Sequence, residues 1–144
     1  MADARTDERG DREAIRDLLT RYTYNGDRGR LDDLSACFAP DGTLEFSGKA
    51  PQGPAAIAQA LSSGERNPRL TFVRHHITNP LIDLTGDTAS ARSYFAVTTN
   101  VGPDHSGTYD DRLIRTLDGW RFAYRRGRID WQTETSLYPR MASR

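Results

Sequence analysis

The run Arg74-His75-His76-Ile77-Thr78-Asn79 decides how this chain is read, because it sets two of the three histidines inside a β-strand pattern. Successive strand side chains point to opposite faces, so His75, Ile77 and Asn79 share one face and His76 and Thr78 the other. A histidine and an asparagine beside an isoleucine are what a concave, mostly apolar pocket with a few placed polar groups requires. The His75 face is therefore expected to look inward, with His76 on the surface.

Outward from this run the pattern splits in two. From position 70 onward the apolar period is two, which predicts strands at 70–84, 88–100, 107–117 and 120–131. Thr85-Gly86-Asp87 and Asp118-Gly119 read as hairpin turns, and Pro80 as a bulge or edge position. Ahead of it the period is helical. Asp11 reads as the N-cap of a helix that buries Ile15, Leu18, Leu19 and Tyr22 and stops at Gly26. Leu31, Leu34 and Phe38 predict a short second helix ended by Pro40. A short strand at 43–46 follows, and Pro54 opens a third helix carrying Ile57, Ala58 and Leu61. Helices followed by an antiparallel meander give an α+β fold, with N-terminal helices packed on a strongly curved, mostly antiparallel sheet that forms a cone. Residues 1–10 are expected to be disordered and 11–131 to form one domain. Residues 132–144 read as a tail that covers the pocket mouth or a neighbouring subunit.

Composition narrows the function. The chain has 144 residues, with twenty basic and twenty acidic side chains, so no global field draws it to nucleic acid or to an anionic membrane. The single cysteine, Cys37, excludes an intramolecular disulfide framework and a multi-cysteine zinc site, and it fits a reducing compartment. The charged start and the lack of a long apolar run predict a cytoplasmic protein without a membrane span. Adjacent strand histidines point apart and no His-x-His spacing occurs, so no metal site is expected. There is no glycine-rich phosphate loop, and no cofactor is expected.

Several fragments occur in a fixed order: Tyr22-x4-Asp27-x-Gly29, Leu31-Asp32-x-Leu34, Phe38-x-Pro40-Asp41, Arg74-His75-His76-x-x-Asn79, Gly107-x-Tyr109-x-Asp111 and Asp118-Gly119-Trp120-Arg121-Phe122. Together they resemble the SnoaL-like branch of the NTF2-like superfamily, which includes polyketide cyclases and scytalone dehydratase-like and bile-acid dehydratase-like lyases. In those lyases an aspartate after the first helix and a histidine on the strand after the third helix form an acid–base dyad. By motif these positions are Asp27 and His75. The resemblance also makes Tyr22 a pocket tyrosine, Asp111 a loose counterpart of the cyclase aspartate, and His105 a loose counterpart of a second histidine.

Other candidates come from the residues themselves. Asn79, Tyr94 and Tyr109 offer hydrogen bonds to a ligand oxygen, as does Tyr22. Asp111 alternates onto the Tyr109 face. Arg126 shares a face with Phe122 and Tyr124 if the last strand is regular, and would bind a carboxylate. A carboxylate on one ring nitrogen of His75 fixes its tautomer and leaves the other nitrogen to move a proton. The expected function is thus a cofactor-independent lyase (dehydratase) or isomerase/cyclase acting on a hydrophobic, oxygenated small molecule such as a polyketide, steroid or terpenoid. The alternative is a non-catalytic binding or assembly module. One sheet face is left for a partner copy, so a homo-oligomer is expected.

Overall fold

The computed structural model of the protein describes residues 7–141. The disorder expected at 1–10 lies outside the described residues as far as position 6, and the end of the expected tail does so from 142. At the start of helix α1 (Glu8–Asp27) the Asp7 carboxylate accepts the Gly10 N–H at 3.2 Å. The helix therefore begins ahead of the expected start, and Asp11 is not its cap. Asp11 is taken instead by Arg115, which binds both its oxygens at 2.7 and 2.9 Å, and by the Trp120 indole N–H at 3.0 Å. Burial follows the helical period through Ile15, Leu18, Leu19 and Tyr22.

Helix α2 (Leu31–Ser35) is shorter than its apolar spacing predicts. The Cys37 carbonyl accepts the N–H of Phe122 at 2.9 Å, and this pulls Phe38 into a strand, β1 (Phe38–Glu45), beside the last strand of the sheet. Pro40 thus sits inside an irregular edge strand, where a missing N–H is tolerated, rather than ending a helix. Helix α3 (Pro54–Ser62) starts on its proline as expected. The meander follows as β2 (Val73–Thr85), β3 (Thr88–Thr99), β4 (Gly102–Thr116) and β5 (Gly119–Gln132).

The sheet order is β1-β5-β4-β3-β2, with β1 parallel to β5 and every other pair antiparallel. Helix α1 packs against both β2 and β5, which lie three strand positions apart. That is roughly 14 Å on a flat sheet, more than one helix of about 10 Å diameter spans, so the sheet curls around α1. The concave side holds Ile15, Leu19, Phe38, Phe95, Tyr109 and Phe122. Helix α1 also binds the outer strand β2 through its polar side chains. The Arg12 guanidinium donates to the Ile82 carbonyl at 2.6 Å, and the Asp27 carboxylate accepts the His75 N–H at 2.9 Å. No helix among the described residues is long and apolar enough to cross a membrane.

Register shifts in the ladders place the site. β2 carries one extra residue between Thr78 and Leu81, opposite Tyr94 and Arg92 of β3. β4 carries Asp104 as an extra residue between the partners of Val97 and Thr98. β5 carries Ala123 between the partners of Arg112 and Leu113. Each extra residue moves the following side chains to the other face.

Candidate active site

Asp27 closes α1 at the β2 edge, with its side chain 4% exposed. One carboxylate oxygen lies 2.5 Å from Nδ1 of His75 and the other accepts the backbone N–H of the same residue at 2.9 Å. Both oxygens are committed, so the ring cannot turn without losing a charge-assisted hydrogen bond. This arrangement puts the proton on Nδ1 and leaves Nε2 as the free nitrogen. The His75 side chain is 24% exposed, so the ring meets solvent at the open end of the sheet. His76, one residue on, is exposed on the other face.

A second histidine faces the first. The rings of His75, Phe95 and His105 form a triangle with centroid separations of 6.4, 6.2 and 6.4 Å. His105 was expected only by resemblance, because residues 101–106 read as a loop. In fact β4 begins at Gly102, and the extra residue at Asp104 lets two consecutive side chains, Asp104 and His105, both face inward. Oδ1 of Asp104 lies 2.7 Å from Nδ1 of His105. Burial lowers the His105 pKa below its ordinary value, and the Asp104 carboxylate only partly opposes this. Burial also pushes the Asp104 carboxyl up, but hydrogen bonds from Ser136, His105 and the Leu137 N–H together outweigh it and hold it below the carboxylate norm.

Behind this triangle the concave side is aromatic. Phe95 and Tyr109 stack at 4.5 Å, and Tyr22 meets Tyr109, Phe38 and Phe122 edge-on at 5.9 to 6.1 Å. Under the two tyrosines lies a fully buried ion pair that the sequence reading missed. Arg125 donates from Nε and Nη2 to the two oxygens of Asp111 at 2.8 and 3.1 Å, and its guanidinium carbon sits 3.7 Å from the Tyr109 ring centre. A guanidinium does not surrender its proton, so the pair stays ionised although burial alone pushes the Asp111 carboxyl upward. Burial pushes the Tyr22 phenol up to about 12 and the Tyr109 phenol further still. Both phenols are neutral hydrogen-bond groups at neutral pH.

Of the sequence candidates, Asp27, His75, Tyr22, Tyr109 and Asp111 all lie on the concave side. Three do not. Arg126 is excluded because the extra Ala123 turns Arg125 inward in its place, leaving Arg126 partly exposed 3.7 Å from Glu45. Tyr94 is 57% exposed because its neighbours Ser93 and Phe95 hold the inner face. Asn79 falls in the β2 bulge with φ of 53°, which takes it out of alternation with His75 and Ile77 and exposes it.

The hydroxyls of Tyr109 and Tyr138 have no hydrogen-bond partner among the described residues, whereas that of Tyr22 lies beside the Arg125 guanidinium. Among the described residues the side-chain atoms both buried and unpartnered are Ser93 Oγ and Arg125 Nη1. A separate groove of about 620 Å³ lies between α1, α2 and the β4–β5 turn, lined by Asp17, Arg21, Cys37 and Arg121 among others. It contains neither Asp27 nor His75. Burial pushes the Cys37 thiol up to about 11, so it is a poor nucleophile. Among the described residues no three metal-ligating side chains converge.

With the geometry fixed, known proteins give it a setting. The model of the SnoaL-like domain matches residues 7–126. A variant of a protein of unknown function from Mycobacterium tuberculosis is 32% identical, with a TM-score of 0.71 over 85% of this chain and 77% of that one. An NTF2-like protein with a cystatin-like fold from Novosphingobium aromaticivorans is 28% identical, with a TM-score of 0.80 over 92% and 90%. A scytalone dehydratase candidate from the same organism is 23% identical, with a TM-score of 0.78 over 99% and 96%, and shares the fold.

Proposed function

This chain belongs to the SnoaL-like domain family, and from that premise we propose that it is a cofactor-independent acid–base enzyme. Its reaction is a dehydration (lyase) or an isomerisation or cyclisation of a hydrophobic, oxygenated small molecule such as a polyketide, steroid or terpenoid. The observation that carries the reading is the double hold of Asp27 on His75, through the ring at 2.5 Å and the backbone at 2.9 Å, with the ring still open to solvent.

In a dehydration, Nε2 of His75 takes a proton from the carbon beside a carbonyl. The imidazolium then returns that proton to the β-hydroxyl as the C–O bond breaks and water leaves. Asp27 holds the tautomer that makes this possible and stabilises the imidazolium between the two steps. Phenols at Tyr22 and Tyr109 hold the carbonyl oxygen. General acid–base catalysis of this kind supplies on the order of 10²–10⁴ in rate, enough for a proton already activated by a carbonyl. Among the described residues the inward charges are paired: Asp27 with His75, Asp104 with His105, Asp111 with Arg125. A neutral ketone, phenol or alcohol suits such a lining, since a ligand charge buried there finds no free counter-charge.

The test is turnover of hydroxylated polycyclic ketones. Asp27→Asn and His75→Ala should stay folded and lose about 10²–10⁴ in rate, whereas His76→Ala, on the opposite face, should stay near wild type. Full activity in both dyad variants ends the proposal. A binding-only module of the same fold would instead return every bound ketone unchanged from the wild-type protein.

A further inference from the structure

We propose that residues 133–141 form a wall of the ligand site in which the Tyr138 phenol hydrogen-bonds an oxygen of the bound ligand, with Asp104 as the positioning residue that holds this strap shut. The location of the ligand rests on the site described above, but the catalytic role of the dyad does not enter.

The strap has no helix or strand of its own, and a segment of that kind is ordinarily mobile unless it is tied down. Here it is tied to one carboxylate. Asp104, fully buried, accepts the Ser136 hydroxyl at 2.7 Å and the Leu137 N–H at 3.0 Å, and its backbone carbonyl accepts the Thr133 N–H at 2.8 Å. Gln132 ties down the remainder: its amide donates to Ser136 Oγ at 2.9 Å and to the Pro139 carbonyl at 3.1 Å, and accepts the Met141 N–H at 3.0 Å. Leu137, 4% exposed, is the apolar anchor. A buried carboxylate is tolerated only when hydrogen-bonded, so docking of the strap and burial of Asp104 are one event.

That event places a functional group. The Tyr138 ring lies edge-on to His105 with centroids 5.1 Å apart, on the His105 side of the histidine triangle. Its hydroxyl is free among the described residues, and burial pushes its ionisation up to about 12, so it offers a neutral donor and acceptor. The same carboxylate that docks Tyr138 also binds Nδ1 of His105. Strap position and His105 tautomer are therefore set together.

Two probes separate oxygen recognition from apolar packing: 2-naphthol, and naphthalene, which lacks the oxygen. Tyr138→Phe should weaken 2-naphthol in a fluorescence titration about fivefold, the worth of one hydrogen bond, and leave naphthalene unchanged. Equal loss of both probes, no loss of either, or no saturable binding of either to the wild-type protein overturns the proposal. Asp104→Asn should speed hydrogen exchange at the Leu137 amide while the amides of β4 stay protected, and should lower the preference for 2-naphthol over naphthalene as far as Tyr138→Phe does. Should that variant not fold, Ser136→Ala should move both readouts in the same direction by a smaller amount. A Leu137 amide that stays protected in the folded variants ends the latch. The probe preference should survive in His75→Ala, so loss of turnover there and loss of oxygen recognition in Tyr138→Phe report on different claims.

Discussion

Asp27→Asn and His75→Ala would remove the proposed proton path by different means. An asparagine keeps an acceptor for the His75 N–H, but its NH₂ would face Nδ1 and drive the ring proton to Nε2, the wrong tautomer for a base. Both residues sit on regular stretches, the last turn of a helix and the third position of a strand, which is why their contact was legible by motif and alternation. Arg126, Tyr94 and Asn79 were misread because a single extra residue, or a reversed face, cannot be seen in an apolar period. His105 gives a second residue-scale prediction, with a defined sign. Its folded pKa lies below the unfolded value of about 6.5. Just below that pH the unfolded chain binds a proton that the folded chain refuses, so stability falls as pH falls through this window. Thermal melts of wild type should lose more between pH 7 and 5.5 than those of His105→Asn. Equal losses would mean that His105 is protonated in the folded state.

Among the elements, β4 departs most from its sequence reading and does most to shape the site. Its early half, 102–106, looked like a loop because Gly102, Pro103 and Asp104 are poor strand formers. It is held nevertheless by pairing with β3 on one side and β5 on the other. Gly107 in its middle is required by packing: a Cβ there would fall 2.6 Å from Cζ of Phe95 and closer still to the Arg128 carbonyl oxygen. The missing side chain lets the Phe95 ring lie flat against the sheet beside His75 and His105. Gly107→Ala should therefore cost about 1–3 kcal/mol in chemical denaturation and displace Phe95. A variant as stable as wild type would show that both the β5 backbone at Arg128 and the Phe95 ring can move aside. The α+β order and the meander were legible because long periodic segments carry their own signal. The β1 and α2 boundaries were not, because a hydrogen bond from Phe122, more than eighty positions away, decides them.

At the scale of the molecule, the convex sheet face remains to be accounted for. It does not carry Phe95 or Val97, which are buried inside, but it exposes Tyr94 (57%) and Trp131 (50%) on either side of β4. Arg92 and Arg128, both bound to Asp110, stand beside them. We propose that a second copy covers this face in solution. Sedimentation at micromolar concentration should give a dimer, and Trp131→Glu should give a folded monomer; a monomeric wild type removes the proposal. The opposite boundary of the sheet is closed without any partner. Arg12 and Asp27 occupy a carbonyl and an N–H on the outer side of β2, the last strand. An uncovered strand of this kind is a template on which other chains add and grow into aggregates. The carboxylate proposed to hold the His75 tautomer therefore also covers this edge, and an Asp27→Ala protein should cloud on concentration where Asp27→Asn stays clear.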